Sequence, residues 1–173
     1  MAIRDLSIFP DPVLRQETSE VEIFDEQLHQ LLDDMAQSMY FNKGLGLAAP
    51  QVGISLRVTV IDVDQKEGSP KLIELVNPRI EELSQDQEEQ EEGCLSFPGE
   101  SEVVIRPSVV TVSAMDRTGK EFQITADGLF GRALQHEIDH LNGVLFIDHI
   151  SRLRRSLIQR RMKKLAAKRT KSA

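Results

Sequence analysis

The segment QHEIDH (135–140) contains two histidines four positions apart, with a glutamate directly after the first. On an α-helix, positions i and i+4 lie on one face, so His136 and His140 can present ring nitrogens to the same metal ion. Glu137 can then contact a water molecule on the metal rather than the metal itself. A divalent ion lowers the pKa of such a water to about 7, and a carboxylate can take up and return its proton. The spacing predicts a hydrolytic metal site, with two core or surface histidines as the alternative.

A hydrolytic metal usually has three protein ligands and one open position, so two histidines leave one ligand to be found. Cys94 is the candidate, because it lies between Gly93 and Gly99 in EEGCLSFPG, where the backbone can turn sharply. Taken alone, a single cysteine is more often a small buried hydrophobic residue. His29 and His149 lack comparable partners, and we predict structural roles for both.

Charge is divided unevenly along the chain. Residues 151–173 hold ten Lys or Arg and no acidic side chain, whereas residues 1–150 hold eleven basic and 28 acidic side chains, a net charge of −17. An acidic body of this kind argues against a general nucleic-acid binder, and we predict no DNA binding. The basic tail alone is suited to a polyanionic partner.

The composition, with 40% hydrophobic residues in 173, is that of one globular domain. The sequence has neither a signal-peptide pattern nor a window near the roughly 18 apolar residues of a membrane span, so we predict no membrane partner. The single cysteine cannot form an internal disulfide and fits a reducing compartment. We therefore expect a cytoplasmic protein.

Three helices are predicted from the spacing of apolar residues. The first occupies about 25–44, with Asp25 as N-cap, and the second about 127–143, which includes QHEIDH. The third begins at Arg152 and repeats apolar residues among ten basic ones, which predicts an amphipathic basic helix.

Strand patterns fill much of the remaining chain. GLGLAAPQVG (44–53) is too rich in glycine and small residues to predict a stable element, and the acidic run 81–92 is predicted to be a solvated strand or loop. Strands are predicted at 56–63 and 72–76 around a turn in QKEGSP (65–70), at 103–105 and 109–112, and at EFQITA (121–126). The order predicts an α+β fold with mainly antiparallel β-sheets around a central metal-bearing helix.

Three segments together resemble a known family. GLGLAAPQVG, EEGCLS and QHEIDH, in this order and separation, are similar to the signature segments of peptide deformylases, metalloenzymes that remove the formyl group from the N-terminal formylmethionine of new bacterial proteins. The resemblance covers about 3–150, so we predict a catalytic domain at 1–150 and a C-terminal basic helical extension at 151–173. The tail is similar in character to the helix by which some bacterial members dock on the ribosome; a solvated cationic terminus is the alternative.

The resemblance implies a ligand set and a general base. Cys94, His136 and His140 would hold one divalent metal per chain, Fe(II) in the cell, with Zn, Ni or Co possible in preparations. An N,N,S ligand set suits several metals and argues mainly against Mg and Ca. Glu137 would act as general base and then as acid to the departing amine.

The resemblance also implies residues that bind the substrate, an N-formylmethionyl nascent peptide. The Gln51 side-chain amide and the Leu95 N–H would donate to the formyl oxygen, each worth roughly 3 kcal/mol in comparable sites. The backbone of Gly46 and Leu47, with Gly99 opposite, is expected to pair with the peptide as an added strand. The methionine pocket is expected to be formed by side chains one turn or so before His136: Leu129, Ala133 and the stem of Arg132.

One departure and two alternatives accompany the resemblance. Some members carry an arginine seven residues after the cysteine that binds the peptide backbone; Ser101 occupies that position here, so the contact is missing or supplied from elsewhere. A zinc endopeptidase shares the histidine and glutamate spacing, although its third ligand usually lies downstream. A family member that binds peptide or ribosome without turnover is the non-catalytic alternative.

Overall fold

A computed structural model describes residues 2–65 and 71–172. The predicted turn at 65–70 falls mainly on residues outside this described part. The elements in chain order are α1 (Glu26–Phe41), β1 (Gly46–Ala48), β2 (Val58–Ile61), β3 (Ile73–Leu83), β4 (Gln87–Gly93), β5 (Ser101–Pro107), β6 (Val109–Met115), β7 (Glu121–Asp127), α2 (Gly128–Leu141) and α3 (Arg152–Ser172).

The strands form two antiparallel sheets. Five strands pair in the order β1-β2-β3-β6-β7, and β4 pairs with β5 in a separate two-stranded sheet. Helix α2 packs against the larger sheet through β1, β2, β3, β6 and β7. The predicted α+β fold with mainly antiparallel sheets around the helix that carries the two histidines is therefore confirmed.

The first two helices begin where the sequence predicts. The Asp25 carboxylate accepts the N–H groups of Gln27 and Leu28, as an N-cap does. Helix α1 ends at Phe41 rather than near residue 44, because the backbone enters the left-handed region at Lys43, with φ of 57°. The Asn42 side-chain amide donates back to the Ser38 carbonyl at 2.8 Å. Helix α2 begins directly after Asp127.

One stretch is more ordered than the sequence predicts, and one acidic residue is more buried. The glycine-rich segment 44–53 was expected to lack a stable element, but it contains β1 and a 3-10 helix at Ala49–Val52. Small side chains there permit the close packing of an edge strand against α2. Within the acidic run 81–92, β3 continues to Leu83 and β4 starts at Gln87, and Glu92 is buried rather than solvated.

Helix α3 covers part of the core instead of lying free in solvent. Its buried residues Ile158 and Met162 share an apolar cluster with Phe97 and Phe146. Leu153, by contrast, is 70% exposed, so the apolar contact face is narrower than the sequence pattern predicts. None of the described helices is long and apolar enough to cross a bilayer.

Candidate metal centre

The side chains of Cys94, His136 and His140 converge at one point. Two of them project from the same face of α2, with ring centroids 5.0 Å apart. The Cys94 Sγ lies 3.3 Å from His140 Nε2, and one ligand atom of each of the three residues lies within 4.8 Å of the others. Two ligand atoms at about 2.0–2.3 Å from a tetrahedral metal lie roughly 3.3–3.8 Å from each other, so one ion fits among these three with small shifts.

The turn that carries Cys94 is fixed by backbone bonds and aromatic packing. The Phe97 N–H donates to the Cys94 carbonyl at 2.9 Å, and the Glu100 N–H donates to the Phe97 carbonyl at 3.1 Å. The Phe97 ring stacks on Phe9 at 5.0 Å and meets Phe146 edge-on at 5.1 Å. This aromatic packing fixes the position of the turn that carries the Cys94 thiol.

Glu92, which the sequence analysis did not single out, orients the first histidine. Its Oε1 lies 2.9 Å from His136 Nδ1, and its carboxylate also accepts from Arg106 at 2.6 and 2.9 Å and from Arg132 at 2.7 Å. Burial disfavours the charged form, but the hydrogen bonds from His136 and Arg106 hold the pKa of Glu92 well below its ordinary value. An ionised carboxylate can only accept, so His136 donates from Nδ1 and keeps Nε2 for the metal.

The sequence contains a weak signal for Glu92. It precedes Gly93-Cys94 directly, and the alternation of β4 places it with Glu88 and Gln90 on the face away from Glu91. Glu92 is buried because Arg106 and Arg132 cover its side chain, and the sequence pattern alone does not show these contacts.

Gln51 is held with its amide nitrogen toward the thiol. Its Oε1 accepts the Ala48 N–H at 2.9 Å, which fixes the orientation of the amide. Its Nε2 then faces Cys94 Sγ at 3.4 Å and Ser96 Oγ at 3.2 Å. Leu95 follows the cysteine and lines the same cavity. Both residues expected to donate to the formyl oxygen therefore line this cavity.

Glu137 lies inside the site without a fixed partner. Its Oε2 and the Nδ1 of His140 are buried and make no hydrogen bond to the described residues. Burial raises the pKa of Glu137 to about 7. Burial also disfavours a charged His136, yet its hydrogen bonds to Cys94 and Glu92 raise its pKa, so the site favours a cation between the imidazole and the thiol. Soft and borderline donors around such a point suit a transition-metal cation.

A cleft of about 860 Å³ opens beside two of the three converging side chains, Cys94 and His136. Its lining includes ten residues of the expected site: Gly46, Gln51, Cys94, Leu95, Gly99, Leu129, Arg132, Ala133, His136 and Glu137. Arg132 lines the cleft, and its guanidinium donates to Glu92 and to the carbonyls of Glu88 and Val104, at 3.0 Å or less. Its stem is thus held against the cleft wall by a buried ion pair.

The strand β1 offers its free edge to this cleft. The Asp62 N–H donates to the Leu45 carbonyl at 2.9 Å, and the antiparallel alternation then directs the N–H and C=O of Gly46 to the other side. Leu47 is fully buried, and its carbonyl accepts the Thr59 hydroxyl at 2.9 Å, so its polar groups face β2. Of the two residues expected to pair with a peptide, Gly46 is in place and Leu47 is turned away.

Three other predicted positions have simple surroundings. His29 Nε2 lies 2.8 Å from the Arg117 carbonyl, and His149 Nε2 lies 2.8 Å from Asp139, as expected for structural histidines. Ser101 donates its hydroxyl to Glu91. Arg169 of α3 lines the cleft, so this helix supplies a cation to the cleft although position 101 does not.

Comparison with known proteins gives the same picture over the whole chain. The polypeptide deformylase family model matches residues 3–156. A peptide deformylase of Brucella suis biovar 1 is 51% identical over 170 residues, covering 98% of this chain and 97% of its own. One from Acidobacterium capsulatum is 51% identical over 165 residues, covering 95% and 96%.

Solved structures agree in fold. A peptide deformylase from Legionella pneumophila, 46% identical, superposes with a TM-score of 0.90 and covers 98% of both chains. That of Ehrlichia chaffeensis, determined in complex with actinonin, is 39% identical with a TM-score of 0.89, over 95% of this chain and 98% of its own. Since family model, relatives and structures cover nearly all of the sequence, the chain belongs to the polypeptide deformylase family, enzymes that remove N-formyl groups from nascent peptides.

Proposed function

We propose that Cys94, His136 and His140 hold one divalent metal ion, with which the protein hydrolyses the formyl group of N-formylmethionyl peptides. The observation that carries the proposal is the convergence of a thiol and two imidazoles beside a buried, unpartnered carboxylate. Fe(II) is the metal we propose in the cell; Zn, Ni and Co suit the same donors. Bound there, the ion would supply Lewis acidity to the attacking water and to the formyl carbonyl.

Glu137 is the proton carrier in this proposal. Its carboxylate takes a proton from the water as the water oxygen bonds to the formyl carbon. It returns the proton to the amine nitrogen as the C–N bond breaks, leaving formate and a free N-terminus. A pKa of about 7 supports both roles, because a group near the working pH can accept and donate with similar ease.

Gln51 and Leu95 stabilise the formyl oxygen as it gains negative charge. The Gln51 amide is already oriented by Ala48, so little reorganisation accompanies the reaction. Each donor in such a position contributes roughly 3 kcal/mol to the transition state.

The peptide binds as an added strand on the free edge of β1. Gly46 supplies backbone N–H and C=O groups, and Gly99 lies across the cleft. Leu129, which is 44% exposed, and Ala133 provide apolar surface for the methionine side chain. Backbone pairing gives affinity with little selection among later side chains, as suits a substrate of variable sequence.

The decisive experiment measures formate release from a formyl-Met peptide by the metal-loaded protein. We expect formate with no cleavage of internal peptide bonds, and loss of activity with retained metal in Glu137→Ala. Internal cleavage would indicate an endopeptidase, and binding without formate would indicate the non-catalytic alternative. Actinonin, found in the Ehrlichia complex, is expected to inhibit.

The identity of the metal calls for anaerobic preparation. We expect iron in such material, and activity that is lost in air faster than in the zinc-loaded protein, because both Fe(II) and Cys94 can be oxidised. Zinc as the bound metal, with full activity that survives air, would contradict the iron proposal.

We further propose that α3 contacts ribosomal RNA. Two of its cations pair with acidic residues of the body, Arg154 with Glu102 and Arg161 with Glu100. Several others are exposed and make no ion pair with the described residues: Arg160, Lys163, Lys164 and Lys168. Phosphate contacts by these side chains would make ribosome binding sensitive to salt.

Charge removal tests this contact better than deletion of the helix, which would strip Ile158 and Met162 from the core. The combined change Lys163→Gln, Lys164→Gln and Lys168→Gln is expected to weaken ribosome binding and to reduce its salt slope by up to about three. Activity on a short peptide should stay unchanged. Equal ribosome binding before and after the change would indicate a solvated cationic tail.

A further inference from the structure

Residues 44–46 form the proposed peptide-binding edge, and a side chain that follows β2 donates a hydrogen bond to this segment on the side away from the cleft. Gln65 donates its side-chain amide to the carbonyl oxygens of Gly44 and Asp62, each at 2.8 Å. A carboxamide nitrogen has two hydrogens, so these contacts use its whole donor capacity. The last β1–β2 pair is Gly46 with Ile61. Gln65 therefore extends the attachment of this edge beyond the end of the ladder.

Asp62, whose carbonyl accepts from Gln65, is itself held by hydrogen bonds. Asp62 is buried, and its carboxylate accepts the Tyr40 hydroxyl at 2.7 Å and the Asp64 N–H at 3.1 Å. Burial and the hydrogen bond to Asp62 raise the pKa of Tyr40 to about 12, so the phenol remains a donor at physiological pH. Gln65 thus acts from a rigid support.

Gly44 and Gly46 have no space for a side chain on the side that faces the cleft. A Cβ at Gly44 would lie 2.7 Å from Leu95 Cδ1, and one at Gly46 would lie 2.5 Å from Glu137 Oε1. Gly46 is therefore at the reacting end, where the formyl group must sit. Gly44 lies two residues further from that end, beyond a bend at Leu45, and its N–H donates to the Met39 carbonyl at 2.9 Å. A peptide paired with this edge would bring the residues after its methionine beside Gly44 and Leu45.

We propose that Gln65 is a positioning residue for the part of the substrate that follows the formylmethionine. By fixing the Gly44 carbonyl, it holds the bend at Leu45 in the position from which this segment contacts the second and third residues of the peptide. The proposal rests on the proposed function, because it takes formyl-peptides as substrates and the β1 edge as their binding strand.

The test compares substrates of different length in Gln65→Ala. For a formyl-Met tripeptide amide we expect KM to rise about fivefold with kcat unchanged, the effect of one lost hydrogen bond. For formyl-Met amide, which ends before Gly44, we expect less than a twofold change. Gln65→Glu should behave like Gln65→Ala because a carboxylate has no hydrogen to donate. Gln123→Ala, exposed on β7 at the opposite edge of the sheet, is the matched control.

The outcomes separate this proposal from the proposed function. Equal losses on both substrates, or loss of bound metal, would assign Gln65 to general support of the fold and overturn the proposal. Unchanged KM for the tripeptide would overturn it as well. If the unaltered protein released no formate from either substrate, the proposed function would fall first and this role with it.

Discussion

The buried carboxylate of Glu92 gives the sharpest prediction about the metal centre. Glu92→Gln keeps the volume of the side chain but removes its charge and half of its acceptor capacity. The carboxylate accepts from two guanidinium groups, Arg106 and Arg132, and from the Nδ1 of His136. All three partners are less than a tenth exposed, so water cannot replace the lost interactions.

Two magnitudes follow from these contacts. Removing one partner of a buried ion pair typically costs about 3–5 kcal/mol of unfolding free energy. The lower end applies here, because Arg106 keeps a second carboxylate, Asp139, at 2.8 Å. A histidine ligand that loses its carboxylate partner weakens metal affinity by roughly 10–100-fold. We therefore expect about 3 kcal/mol of destabilisation together with a measurable loss of metal.

The assays are urea unfolding of the metal-loaded protein and competition for its metal by a chelator. Glu91→Gln is the control, since the neighbouring acid is exposed on the other face of β4 and should change the unfolding free energy by less than about 0.5 kcal/mol. Unchanged metal affinity in Glu92→Gln, with Glu91→Gln behaving as expected, would refute the assignment of Glu92 as the residue that orients His136.

Three further changes have defined outcomes. Gly46→Ala should reduce formate release at least about tenfold while metal is retained, because its Cβ would lie 2.5 Å from Glu137 Oε1; normal turnover would contradict this placement. Met162→Ala should lower the unfolding free energy in urea by about 2–4 kcal/mol, whereas Leu157→Ala, 41% exposed, should cost much less. Burial disfavours an ionised Asp34, but its hydrogen bonds from backbone and side-chain donors lower its pKa, so its stabilisation is present at neutral pH and fades as pH falls through the folded-state value. Asp34→Asn should therefore lower the unfolding free energy, measured in urea, at pH near 7. It should also reduce the fall of that free energy between neutral and acidic pH, and an unchanged fall would contradict the lowered pKa.

The sequence predicts the site best where a short-range rule applies. Helical spacing alone places His136 and His140 on one face, and the N-cap rule places the start of α1 at Asp25. The link to Cys94, more than forty positions earlier in the chain, came from the resemblance, because no local rule connects a turn between two strands to a distant helix.

Burial was harder to predict than element type. Glu92 lies in a run of acids that looks uniformly solvated, and only its contacts with Arg106 of β5 and with Arg132 and His136 of α2 distinguish it from Glu91. In α3 the apolar spacing is regular, yet the body covers only the stripe of Ile158 and Met162 and leaves Leu153 in solvent. The glycine-rich segment 44–53 is ordered by its pairing with β2 and by the hydrogen bond from Gln65. The residue types within the segment do not reveal these contacts.

The packing of α3 beneath Phe97 also bears on the order of events during synthesis. All three side chains of the metal centre precede α3 in the chain, so they leave the ribosome before it. The apolar cluster under the Cys94 turn is completed only when Ile158 and Met162 arrive. A growing chain of this protein therefore has Cys94, His136 and His140 early, and it completes the packing beneath the Cys94 turn last, with a helix that contributes none of these three residues.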